Sequence, residues 1–145
     1  MTSFIVYNKP FVVNWVSKQL PGKEDFPLDS PSIGLIRDGK LIAGVVYTMY
    51  TGNGICMSVA GTGRKWLTRE FLYVSFAYPF VQLGCSRVSG LVRVDNHDAQ
   101  RFDEHLGFVK EGVIRKGDDD GTDLILYGML KEDCRWLKLK DRKNG

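Results

Sequence analysis

A loop rich in glycine and basic residues precedes the longest predicted helix of this chain. The loop, Gly61–Trp66, has the sequence GTGRKW, and the predicted helix, Leu67–Leu83, follows it directly. The first N–H groups of a helix have no partners inside the helix, and the helix dipole makes that end electropositive. The loop and the helix start could therefore bind an anionic group such as a phosphate. A purely structural turn is the alternative interpretation.

A second segment whose spacing has chemical meaning is Arg87–Phe108. Its first part has the composition of a strand. Asp95 or Asn96 can then cap a short helix, His97–Leu106, by accepting hydrogen bonds from its first N–H groups. Gly107 stands where a helix ends in a left-handed residue. Apolar residues recur at i, i+3 and i+7 of this helix and predict its buried side: Ala99, Phe102 and Leu106.

These segments belong to a predicted element order β-α-β-β-β-α-β-α-β-β. The predicted strands are Phe4–Tyr7, Ser32–Arg37, Lys40–Tyr50, Ile55–Ala60, Arg87–Val94, Phe108–Lys116 and Asp123–Leu130. The first predicted helix is Phe11–Leu20. Pro79 lies inside the second and predicts a kink near Ser75. Because that helix connects the fourth and fifth strands, those two strands are predicted to be parallel neighbours.

The composition is typical of a globular domain. Of the 145 residues, 43% are hydrophobic and 26% are charged, which predicts one domain over residues 1–137. No apolar run approaches the roughly 20 residues that cross a bilayer. The first ten residues lack the pattern of a signal peptide. The sequence therefore predicts a cytoplasmic protein without a membrane partner.

The net charge of +3 is concentrated at the C-terminal end. Residues 138–145 hold four basic residues and one acidic residue, which equals the whole excess. This basic segment is predicted to be a disordered tail. The remainder is neutral overall, so nucleic acid is not an expected partner. Three widely spaced cysteines and two histidines predict neither a disulfide framework nor a metal site.

The second segment carries a family resemblance. Its pattern, N-x-x-A-x-x-F-x-x-x-L-G-F from Asn96 to Phe108 with Gly112 beyond, resembles the signature N-x-x-A-x-x-(L/F)-x-x-x-L-G-F-x-x-x-G of the GNAT acyltransferases. The predicted element order is similar to that family from end to end. The final segment, Tyr127–Trp136, is also similar to short GNAT proteins encoded by tailed phages and prophages, which would place the protein in a host cytoplasm.

The resemblance implies an α/β (α+β) fold. Its GNAT-like sheet would be mixed, mostly antiparallel and twisted, with about six to seven strands flanked by helices. One parallel central pair would be splayed to admit acyl-CoA. The implied activity is that of an N-acyltransferase, which moves an acetyl group from acetyl-CoA to a primary amine by direct attack.

The resemblance also implies where coenzyme A binds. In the family, the pantetheine arm pairs with the first splayed strand, and the pyrophosphate binds at the loop that follows. Carried over to this chain, the coenzyme A site comprises Met57, Val59, Ala60, Gly61, Thr62, Gly63, Arg64, Lys65, Leu67, Thr68, Arg69, Asn96 and Phe102.

The phosphate loop departs from the family pattern, R/Q-x-x-G-x-G/A. Arg64 matches the first position, but the two glycine positions fall on Leu67 and Arg69. Gly61 and Gly63 lie earlier in the loop. Either these earlier glycines let the backbone approach the phosphate in place of the family's glycine positions, or coenzyme A binding is weakened.

The proton donor departs from the family as well. Many members have a tyrosine directly after the position of Phe102, where this chain has Asp103. An aspartate with its usual pKa of about 4 is a poor acid at neutral pH, although burial could raise that pKa. Asp103 and Ser58 are the candidate catalytic residues, with a solvated helix aspartate as the alternative for Asp103. Further candidates, without support from a motif, are Cys56, Tyr47 and Tyr50.

The resemblance implies an amine acceptor, which could be a protein N-terminus, a lysine or a small molecule. By resemblance, two acidic loops border the acceptor side: Gly117–Asp123 and the loop that carries Glu24, Asp25 and Asp29. They would attract a basic acceptor, unless both are merely solvated turns. A homodimer is compatible with the resemblance. The competing functions are a GNAT-fold module that binds acyl-CoA or a protein without turnover, and nucleic-acid binding through the tail.

Overall fold

The computed structural model describes residues 2–20 and 25–138, which form a seven-stranded mixed sheet. The strands are β1 (Ser3–Tyr7), β2 (Ser32–Arg37), β3 (Lys40–Thr48), β4 (Gly54–Gly61), β5 (Arg87–Arg93), β6 (Val109–Ile114) and β7 (Leu124–Leu130). Their order across the sheet is β1-β2-β3-β4-β5-β7-β6. The helices are α1 (Pro10–Gln19), α2 (Arg69–Ala77) and α3 (His97–Leu106), with a π-helical segment at Tyr78–Gln82 and a 3-10 turn at Lys131–Asp133.

The predicted fold is confirmed in its element order and in its central parallel pair. β4 and β5 are parallel, and the other neighbouring strands of the described chain are antiparallel. Element bounds differ from the predicted ones by at most two residues, apart from the end of the second helix. The predicted tail from residue 139 onward, the predicted helix stop at Pro21 and Gly22, and Glu24 lie outside the described residues.

The second helix changes its geometry around Pro79. Proline has no N–H group, so the carbonyl of Ser75, four residues earlier, lacks its helical partner. The buried hydroxyl of Tyr47 donates to that carbonyl at 2.5 Å. The segment that follows is π-helical, with the N–H of Leu83 donating to the carbonyl of Tyr78. The break predicted near Ser75 is therefore present.

The buried side of the second helix differs from the one that its apolar spacing predicts. The spacing favours Leu67, Phe71, Val74, Tyr78 and Val81. Val81 is 59% exposed, and Val74 and Tyr78 are half-buried, whereas Phe76 and Phe80 are fully buried. The difference begins before the π-helical turn, because the buried residues of α2 itself are Phe71, Leu72, Ser75 and Phe76.

Tyr47→Phe is expected to destabilise the protein by about 1–3 kcal/mol, because it leaves a buried carbonyl without a donor. That loss corresponds to a fall in Tm of several degrees. Thermal unfolding of Tyr47→Phe should be compared with that of Tyr50→Phe, which removes the hydroxyl of a residue that is 52% exposed. Equal Tm values for the two variants would show that the hydroxyl of Tyr47 does not stabilise the helix break.

The helices divide the sheet into two faces. On one face, α1 buries Val12 and Val16 against β2 and β3, where glycines permit close approach. A Cβ atom on Gly34 would lie 2.7 Å from Val12, and one on Gly44 would lie 2.6 Å from Val16. The larger core, which includes residues of α2 and α3, lies on the other face. No helix among the described residues is long and apolar enough to span a membrane.

Candidate active site

The parallel strands β4 and β5 pair only at their beginnings. The paired positions run from Gly54 with Arg87 to Cys56 with Ser89. Beyond Cys56, β4 continues to Gly61 with β3 on one side and no paired strand on the other. The second half of β4 therefore presents a free backbone edge to the gap between the strands, as an unpaired sheet edge does.

The gap forms a cleft of about 300 Å³ that reaches both faces of the sheet. Residues that alternate along a strand point to opposite faces. Met57 and Gly90 line the cleft on the face that α3 covers, whereas Ser58 and Leu91 line it on the face that α1 covers. The arrangement allows two reactants to approach one point from opposite faces of the sheet.

The start of α3 forms one wall of the cleft. Asn96 caps the helix as predicted, since its Oδ1 accepts a hydrogen bond from the N–H of Ala99 at 3.1 Å. Gly107 ends the helix in the left-handed region with φ +111°. Gln100, which the sequence analysis missed, donates from its side chain to the carbonyl of Val94 at 2.9 Å. This bond fixes α3 to the end of β5, and a lone glutamine gives no sequence signal for it.

The glycine-rich loop is exposed and partly unpaired. Within the described ranges, the backbone N–H groups of Gly63, Arg64 and Lys65 donate to no acceptor. The α2 helix begins at Arg69, and Thr68 caps it by accepting from the N–H of Phe71 at 3.2 Å. Free N–H groups, three basic side chains and a helix start lie together here, as an anion site requires.

Some backbone donors of the predicted phosphate site are already used. The N–H of Thr62 donates to Ile42, that of Leu67 donates to Arg64 and that of Thr68 donates to Trp66. Leu67 packs against the core. The donors that remain for an anion are the N–H groups of the central loop residues and those at the start of α2, apart from that of Phe71, which donates to Thr68.

Trp66 explains the glycines of the loop in structural terms. Its indole is 6% exposed, and its Nε1 donates to the carbonyl of Gly63 at 2.9 Å. A Cβ atom on Gly61 would lie 2.2 Å from the indole ring, and Gly63 has φ +67°. The ring centroid lies 5.4 Å from that of Phe102. Both glycines are thus required by the turn that folds Trp66 against α3, which the sequence analysis missed.

Asp103 lies at the bottom of the cleft, against β5. One of its carboxyl oxygens is 3.5 Å from where a Cβ atom on Gly90 would stand, and the side chain lines the cleft. Burial, with a smaller contribution from the neighbouring Glu104, raises the pKa of Asp103 to about 7. Asp103 is half-buried in the cleft, so it is not a fully exposed helix residue. A carboxyl group with this pKa can donate a proton at neutral pH.

Comparison with known proteins finds similarity in structure. No family model and no curated protein matches the chain. Ard1 from Thermoplasma volcanium has a TM-score of 0.66 at 17% identity, over 90% of this chain and 98% of that chain. The spermidine/spermine N-acetyltransferase SpeG from Vibrio cholerae has a TM-score of 0.69 at 14% identity, over 94% and 96% of the two chains. The ribosomal-protein-S18-alanine N-acetyltransferase from Escherichia coli has a TM-score of 0.66 at 16% identity, over 89% and 94%.

These superpositions span nearly the whole length of each chain. The chain has the GNAT acetyltransferase fold. Because one fold can carry different functions, the roles of individual residues depend on the geometry of this chain.

Within the GNAT fold, the other candidate proton donors differ in their access to the cleft. Ser58 is half-buried and lines the cleft on the face opposite Asp103. Tyr47 is buried and its hydroxyl already donates to a helix carbonyl. Burial raises the pKa of the Cys56 thiol, and Tyr50 is largely exposed and does not line the cleft. Asp103 and Ser58 are the two candidates that the cleft contains.

The acidic turn between β6 and β7 is partly neutralised by Arg93. The Arg93 guanidinium contacts Asp118 at 2.8 Å, Asp120 at 3.0 Å and Asp95 at 3.0 Å. Hydrogen bonds, first from Thr122 and then from Arg93, lower the pKa of Asp120 to about 2. The turn still has more acidic groups than basic ones. Asp118 lines the cleft and is half-buried, whereas Asp119 and Asp120 are exposed to solvent.

Proposed function

We propose that this protein is an N-acyltransferase that moves an acetyl group from acetyl-CoA to a primary amine. The observation that carries the proposal is the cleft between β4 and β5, with a carboxyl group of near-neutral pKa inside it. The GNAT acetyltransferase fold supports it.

The free edge of β4 suits the extended pantetheine arm of the acyl donor. Its amide groups can pair with the backbone of residues 57–61 in place of a missing strand, as peptides do at sheet edges. The backbone N–H groups there can also polarise the thioester carbonyl. The N–H groups of the exposed loop, with Arg64, Lys65 and Arg69 beside them, would bind the pyrophosphate.

Asp103 is the proposed general acid. The amine nitrogen attacks the thioester carbon, the new C–N bond forms, and the C–S bond breaks as the thiolate leaves. Asp103, protonated at neutral pH, would give its proton to the thiolate sulfur, while the amine releases its proton to solvent or to a second group. Ser58 lines the cleft on the opposite face and would contact the amine side.

The acceptor is proposed only as an amine-bearing molecule. The structural neighbours include enzymes named for a polyamine and for a ribosomal protein. A basic acceptor, attracted by the acidic turn, remains a prediction. Arg93 reduces the free charge of that turn, and Asp25 and Asp29 are exposed residues of the other acidic loop. Salt should weaken such attraction.

A second candidate function is a module that binds acyl-CoA without turnover. One observation favours it: the position after Phe102, where many members of the family have a tyrosine that can act as the proton donor, holds Asp103 in this chain. Binding and turnover are separated by two measurements.

Acetyl-CoA is expected to raise the Tm of the protein by several degrees. A ligand that binds only the native state adds about 2.7 kcal/mol at about one hundred times its Kd, and thermal unfolding with and without millimolar acetyl-CoA measures the change. Transfer of labelled acetyl groups to a mixture of amines then tests catalysis. Stabilisation without transfer would support the binding module, and the absence of both would exclude each proposal.

A further inference from the structure

A buried tyrosine connects α3 to the last strand directly beside Asp103. Tyr127 is fully buried in β7, and its hydroxyl donates to Oε2 of Glu104 at 2.7 Å. Tyr127 stands opposite Gly90 in the register of β5 and β7, so both point to the face of the sheet that α3 covers. Asp103 contacts Gly90 on that same face. The carboxylate of Glu104 is therefore held next to that of Asp103.

The hydrogen bond from Tyr127 fixes the position of the Glu104 carboxylate. Glu104 is an exposed helix residue whose carboxylate could otherwise extend into water. A negative charge held close to Asp103 disfavours ionisation of the Asp103 carboxyl group. That carboxyl group lies between α3 and β5, 3.5 Å from where a Cβ atom on Gly90 would stand.

We propose that Glu104, held in place by the hydroxyl of Tyr127, is a positioning residue whose carboxylate adds to burial in favouring the protonated form of Asp103. The role of Glu104 in catalysis rests on the proposed function, whereas its electrostatic effect on Asp103 does not. On this face, β4 presents Met57 and β5 presents Gly90 and Val92, none of which is charged, whereas β6 presents Lys110, an exposed lysine that stands opposite Tyr127. The charged cleft residues Arg93 and Asp118 bond to each other on the opposite face of β5.

The test is a titration of Asp103 by NMR in the protein without ligands. The variant Glu104→Gln keeps an oxygen that can accept from Tyr127 but removes the charge, and the Asp103 pKa is expected to fall by roughly half a unit or more. Tyr127→Phe removes no charge but releases Glu104, and a smaller shift in the same direction is expected. Glu111→Gln is the control, because it removes one carboxylate that is paired with Arg87 elsewhere.

The outcomes separate this inference from the proposed function. A lower Asp103 pKa in Glu104→Gln but not in Glu111→Gln supports the inference even if the protein transfers no acetyl group. An unchanged Asp103 pKa in Glu104→Gln overturns it, whether or not the protein is an enzyme. If the protein is active, the alkaline limb of its pH–rate profile should move to lower pH in Glu104→Gln by the same amount as the pKa.

Discussion

Asp103→Asn is expected to lower the rate of acetyl transfer at pH 7 by about 10²-fold or more, which is the usual contribution of a positioned general acid. Asparagine has nearly the same shape but holds no acidic proton for the thiolate. The binding of acetyl-CoA should change little, because the proposed phosphate and pantetheine contacts are made by β4 and the loop after it. Steady-state kinetics and calorimetry measure the two effects separately.

The pH dependence gives a second check on Asp103. Since its pKa is about 7, the parent enzyme should lose activity as the pH rises through 7, and the residual activity of Asp103→Asn should not show that loss. Ser58→Ala is the matched comparison, because it changes the other candidate in the cleft without removing a carboxyl group. An Asp103→Asn variant as active as the parent would remove Asp103 from the mechanism.

The same carboxyl group should affect stability in a predictable direction. Its pKa is raised in the folded protein from 3.8 to about 7, so the native state holds the proton more tightly than the unfolded state does. The stability that it contributes is fully present below about pH 4 and is lost as the pH rises through 7. Asp103→Asn should lack this slope, which provides a readout that does not depend on activity.

Arg64→Glu is expected to weaken acetyl-CoA binding by several-fold to about a hundredfold, because a carboxylate would then face the pyrophosphate. Arg64 is exposed in the loop, so the free energy of unfolding should change by less than about 0.5 kcal/mol. Isothermal calorimetry with acetyl-CoA, together with thermal unfolding of the variant alone, separates a binding effect from a folding effect.

Lys110→Glu provides a matched control for Arg64→Glu. It makes the same change in net charge at an exposed position of β6. A general electrostatic effect on the anionic ligand would weaken binding equally in both variants. Equal affinity of Arg64→Glu and the parent would place the phosphates away from the loop.

The sequence by itself determined the local features of the fold. The cap at Asn96, the helix His97–Leu106 and the left-handed Gly107 were all predicted and are present. Each depends on hydrogen bonds and backbone conformations within a few residues, which the order of side chains specifies directly. The parallel pair of β4 and β5 followed from the helix between them, because the handedness of such connections leaves few alternatives.

The tertiary structure alone decided the chemistry of the cleft. The pKa of Asp103 depends on burial against Gly90, and the carboxylate of Glu104 is held by Tyr127. Gly61, predicted to approach a phosphate, is required by the indole of Trp66. These contacts join residues that are separated along the sequence. The effect of desolvation on a pKa also depends on all the groups that pack around the carboxyl group. The sequence places an aspartate on a helix, but the burial that raises its pKa comes from packing.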